Sequence, residues 1–101
     1  MAGRIRTIKP ELREYPPFAN LSDASSRLFL MIYTLVDDAG RCPAGAAYLD
    51  GQVFFERHRG AAAVGRMLAE LERAPLVFTY RTPVGPHLEI VRHWNAARRA
   101  A

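Results

Sequence analysis

Nine residues from Leu28 to Val36, apolar except for Thr34, constrain this chain more than any other stretch. Leu28, Met31, Ile32 and Leu35 recur at helical spacing, and Phe29, Tyr33 and Val36 widen the stripe. A helix that is apolar around most of its girth must be surrounded, so the pattern predicts a central core helix. It is also about half of the roughly 20 residues that cross a bilayer, so no membrane span is expected. Ser22 and Asp23 supply an N-cap and a first-turn acid. Asp37-Asp38-Ala39-Gly40 predicts the end of the helix, with Gly40 free to take positive φ. Covering such a helix falls to the rest of a 101-residue chain that is 50% hydrophobic, enough for one domain with one core.

Further elements follow on both sides. Arg4-Ile5-Arg6-Thr7-Ile8-Lys9-Pro10 alternates basic or polar with apolar residues and reads as an extended arm. Pro16-Pro17 breaks any helix begun by Glu11 to Tyr15. Arg41 and Cys42 suit a very short strand. A second helix is predicted over Ala46 to Phe55, burying Leu49, Val53 and Phe54, then a polar turn over Glu56 to Gly60. The third helix spans Ala61 to Arg73 with Val64, Met67, Leu68 and Leu71 as its stripe, and Ala74-Pro75 stops it. Leu76 to Arg81 and His87 to Val91 read as strands joined by a loop over Thr82 to Pro86.

Three helices followed by a hairpin is the element order of a winged helix-turn-helix. The expected fold class is therefore α+β: a winged helix-turn-helix over residues 22–94, a basic N-terminal arm over 1–21 and a basic tail over 95–101.

Charge sharpens the reading. The formal net charge is +4, from 14 Lys and Arg against 10 Asp and Glu. Residues 1–21 and 92–101 are basic, while the stretch between them is near neutral. Basic ends around a neutral body suit a polyanionic partner, because each neutralised phosphate releases counterions; they also serve as solubilising tails. One cysteine, Cys42, excludes an intrachain disulfide framework and a multi-cysteine zinc site. No apolar segment follows the N-terminal arginines, so a secretory signal is not expected and a cytoplasmic location is. His58, His87 and His93 lack metal-ligand spacing, Cys42 has no neighbouring base, and there is no glycine-rich phosphate loop. An enzyme, a cofactor, a metal and a small-molecule substrate are accordingly not expected.

The same residues resemble a known family. Arg4-Ile5-Arg6-Thr7-Ile8-Lys9-Pro10-Glu11, Leu21-Ser22, Arg27-Leu28-Phe29 and Leu35-Val36-Asp37-Asp38-Ala39-Gly40-Arg41 are similar to the N-terminal winged-helix domains of phage replisome organisers and related DnaD-like primosome proteins. Leu68-Ala69-Glu70-Leu71-Glu72, Tyr80, Leu88-Glu89-Ile90-Val91 and Trp94 extend the likeness over nearly the whole chain. The resemblance implies a role in initiating or controlling phage or mobile-element DNA replication.

Candidate contacts to double-stranded DNA then fall in three places. On the third helix and the turn before it, Arg59, Ala62, Ala63, Arg66, Glu70 and Arg73 face away from the apolar stripe. There Arg can pair bidentately with guanine, and an Ala methyl can meet a thymine methyl. The plainer reading is a solvated face with an Arg66–Glu70 pair. Arg4, Arg6 and Lys9 suit either a phosphate or minor-groove arm or an edge strand on a second subunit. Arg81 at the hairpin base and Arg92, Arg98 and Arg99 in the tail complete the set. Asp37 and Asp38 fit a helix-end turn with Arg41 better than a catalytic pair. A homodimer is expected. The alternative is a protein-interaction module, self-associating or binding a replication or host protein through the arm's apolar residues, Tyr48 and Trp94.

Overall fold

A computed structural model describes residues 8–91. Among them are four α-helices and a three-stranded antiparallel sheet, an α+β domain. The chain order is a 3-10 turn (Pro10–Glu14), α1 (Pro16–Ala19), α2 (Asp23–Ile32), β1 (Arg41–Pro43), α3 (Ala46–Val53), α4 (Ala61–Arg73), β2 (Val77–Thr82) and β3 (Gly85–Ile90). None of the helices is long and apolar enough to cross a membrane.

The arm predicted over residues 1–21 is described only from Ile8, and from Pro10 it is folded rather than extended. Lys9 keeps the extended backbone that a following proline favours. Beyond it, Leu12 drops into the core and Phe18 packs against its edge. Two short helical turns let both apolar side chains point inward, a gain that a free arm forgoes. Pro16 does break the helical path: Tyr15 is extended and Pro16 opens α1.

α2 starts where its cap predicts. The Ser22 hydroxyl accepts the Ser25 N–H at 3.3 Å. Leu28, Phe29 and Ile32 are fully buried, and each such side chain stabilises the fold by roughly 1.5–3 kcal/mol. Tyr33 meets Phe29 edge-on at 5.4 Å and Phe18 reaches the same ring at 5.9 Å. The helix ends at Ile32, before the predicted Val36. There the Thr34 hydroxyl donates to the Met31 carbonyl at 2.6 Å, a local bond that competes with helix continuation. Met31, assigned to the core stripe, is instead 37% exposed. Asp37 Oδ1 then accepts from the Ala39 and Arg41 amides, and Gly40 takes φ 81°.

β1 pairs with β3 and β3 with β2, in the order β1-β3-β2. Cys42 lies opposite Leu88, and Thr82 opposite Gly85. The hairpin loop is therefore shorter than predicted. Thr82, Gly85 and Pro86 join the strands, leaving Pro83-Val84 at the tip with Gly85 at φ 126°. The sheet's buried residues Cys42, Val77, Leu88 and Ile90 close the core from one side. α4 packs against both α2 and α3 and buries Val64, Leu68 and Leu71.

Candidate nucleic-acid interface

α4 carries the candidate surface, and two carboxylates fix how it is presented. Asp50, near the end of α3, is buried among partners. Its Oδ1 accepts the Arg59 N–H at 2.7 Å, and its Oδ2 lies 2.9 Å from His58 Nδ1. Desolvation acts to raise the Asp50 pKa. The Arg59 N–H, the His58 ring and the Gly60 N–H outweigh it and hold the carboxyl below its ordinary value. The same bonds tie the turn before α4 to α3, so Arg57 to Arg59 sit on an anchored loop. Gly60, at φ 90°, makes the bend that starts the helix.

Glu70 anchors the other flank. Its carboxylate accepts from the Ser25 hydroxyl at 2.6 Å, the Ser22 N–H at 2.9 Å and the Ser22 hydroxyl at 3.0 Å. Ser25, Ser22 and the nearby Arg73 charge together keep its pKa lowered against some desolvation. Glu70 therefore satisfies the start of α2 rather than pairing with Arg66, as the helical spacing suggested. This placement decides the electrostatics of α4. Of the two acids of α4 that would repel phosphates, Glu70 is drawn to a neighbouring helix, while Glu72 accepts the Thr79 hydroxyl at 2.7 Å and stays exposed, as do Ala62, Arg66 and Arg73.

A second basic group joins Arg59, an expected contact, to Arg27 and Arg57, which were not expected ones. The Arg59 guanidinium lies 4.9 Å from the Phe54 ring centre, and that of Arg27, from α2, lies 5.7 Å from it. With Arg57, Val53, Phe55 and Glu56 they line a cavity of about 420 Å³. Phe54 is 3% exposed, its neighbour Phe55 68%. The ion pairs among the described residues are His58–Asp50 and Arg41–Glu89, so no described carboxylate neutralises Arg27, Arg57 or Arg59. Glu56 to Gly60 was legible as a polar turn, but Arg27 joins it only through the packing of α2 beside α3.

The remaining candidates are dispersed. Arg81 is exposed on β2 opposite Pro86, near the hairpin tip, where Val84 is 85% exposed. His87 sits 3.4 Å from the Thr82 hydroxyl and its ring 6.0 Å from that of Tyr80. Lys9 is exposed ahead of the 3-10 turn, and Tyr48 is exposed on α3. Arg4, Arg6, Arg92, Trp94, Arg98 and Arg99 lie outside the described residues. Burial, with Asp37 adding its charge, pushes the Cys42 thiol up to about 11, so it stays protonated at neutral pH. Among the described residues no three His, Cys, Asp or Glu side chains cluster as metal ligands.

No family model, curated protein or solved structure matches this chain.

Proposed function

We propose that this chain is a winged-helix protein that binds double-stranded DNA through α4 and the turn before it, in phage or mobile-element replication initiation or its control. The carrying observation is the withdrawal of Glu70 to Ser22 and Ser25, which leaves Arg66 and Arg73 exposed on α4 with Glu72 as its one exposed acid, held to Thr79. The two arginines are seven residues apart, two helical turns on one face. A 13-residue helix is roughly 20 Å long, and the major groove admits an α-helix. Three of the four helices, α2 to α4, before a hairpin, with a short strand added to the hairpin's edge, are compatible with a winged helix-turn-helix. The replication role rests on the resemblance given above, and a homodimer remains part of this reading.

Titration of a labelled duplex at increasing salt tests it. Several Arg–phosphate contacts make the association constant fall steeply, with a log–log slope of about −0.9 per neutralised phosphate. No retention of duplex at low salt would defeat the proposal.

One observation favours the protein-interaction alternative. A hollow of about 530 Å³ beside β2 is lined by Pro75, Val77, Phe78, Ile90 and Val91 between Glu72 and Glu89. Phe78 is 47% exposed there. An apolar hollow with an acidic rim suits a protein partner better than a phosphate backbone. Under that reading the duplex titration fails, while sedimentation shows self-association that Phe78→Ser abolishes.

A further inference from the structure

The cavity between Arg27, Arg57 and Arg59 is built differently from the outward face of α4. Two of its guanidiniums are packed on the Phe54 ring, at 4.9 and 5.7 Å from its centre. That packing limits the freedom of both side chains and leaves their N–H groups for a ligand. The loop between them is fixed as well: the Arg57 N–H bonds to the Phe54 carbonyl at 3.1 Å, and the Arg59 N–H to Asp50. Planar guanidiniums with free donors match the geometry of a phosphate. Glu56 is the one acid on the cavity wall, against three arginines.

Phe55 supplies the other half. It lies on the same wall with 68% of its surface exposed. An aromatic ring beside a guanidinium cluster is the combination that takes a nucleobase by stacking while its phosphate is held. Bases within a continuous duplex have both faces covered by their neighbours, so they offer Phe55 nothing to stack on. An unpaired base offers a whole face. The cavity, at about 420 Å³, is within the range of roughly 300–1,000 Å³ typical of small-ligand sites.

We propose that this cavity binds one unpaired nucleotide, its phosphate on Arg27, Arg57 and Arg59 and its base against Phe55. The protein would then recognise DNA where duplex meets single strand. This rests on the DNA-binding reading, with α4 on the paired part and the turn on the unpaired part. Acidic peptides share the charge but not the base, and Phe55 distinguishes the two.

The test uses the full chain with three probes: a blunt duplex, the same duplex carrying a short single-stranded extension, and an acidic peptide. The extended duplex is expected to bind about tenfold more tightly than the blunt one, the scale of one stacked base. A fluorescent adenine analogue in the extension is expected to be quenched on binding. Phe55→Leu keeps an apolar side chain at an exposed site, so folding is retained and checked by circular dichroism. In that variant the preference is expected to fall to about one and the quenching to vanish. Arg57→Ala is expected to reduce the preference, whereas Arg66→Ala weakens both duplexes alike. Equal binding of the two duplexes, or a preference that survives Phe55→Leu, overturns this proposal and leaves the DNA-binding reading standing. If the acidic peptide displaces the extended duplex from the cavity more effectively than free single strand does, this proposal is likewise overturned; if neither duplex binds, both are.

Discussion

On the helical side of the domain, Asp50 and Glu70 turn inward onto backbone amides and hydroxyls, and Arg27, Arg57, Arg59, Arg66 and Arg73 are left outward. On the hairpin side the arrangement is reversed. Arg41 is drawn to Glu89 at 3.5 Å, the Thr79 hydroxyl donates to Glu72 of α4 at 2.7 Å, and the tip ends in exposed Val84. Both sides draw on the same near-neutral stretch of sequence. What separates them is which charges are neutralised locally. An overall charge of +4 says that a polyanion is attractive; the destinations of the carboxylates say where it would be met.

The largest expected effect is on DNA affinity. Replacing Arg66 and Arg73 together by Ala should weaken duplex binding on the order of 10–100-fold, while Arg81→Ala should change it by less than about threefold. Fluorescence anisotropy at fixed salt measures both. Comparable losses from the two variants would erase the distinction between helical side and hairpin.

Stability gives the next contrast. Glu70→Gln weakens the acceptor for the fully buried Ser25 hydroxyl and should cost about 1–3 kcal/mol in urea unfolding. Thr79→Ala removes the exposed bond to Glu72 and should cost no more than about 0.5 kcal/mol. The pH dependence has a defined sign. Asp50 and Glu70 have folded-state pKa values below their ordinary ones. Their contribution is therefore present above the ordinary carboxyl range near pH 4 and is lost as pH falls through the lower folded values. Glu70→Gln should make the acid limb of the stability profile shallower. The smallest effect is at the tip, where Val84→Asp should alter stability by less than about 0.5 kcal/mol.

Much of the scaffold was legible because its signals are local. Ser22 caps α2, Gly40 turns with positive φ, and α4 runs from Ala61 to Arg73 as its stripe predicts. The misses have tertiary or side-chain causes. Thr34 bonds back to Met31 and shortens α2, Leu12 folds residues once assigned to the arm, and Pro83-Val84 makes a tighter turn than five turn-forming residues suggested. The candidate surface was half legible. Helical periodicity places Arg66 and Arg73 outward, but nothing local says that Glu70 leaves that face for Ser22 and Ser25. Nor does sequence spacing bring Arg27 to a ring shared with Arg59, 32 residues further along the chain.

Amide chemical-shift mapping of the full chain during titration with duplex DNA at low salt tests the central claim most directly. The account predicts that the largest perturbations fall in the turn from Phe54 to Gly60 and along α4, with the hairpin from Phe78 to His87 nearly silent. Perturbations concentrated on the hairpin, or none at saturating duplex, would contradict it.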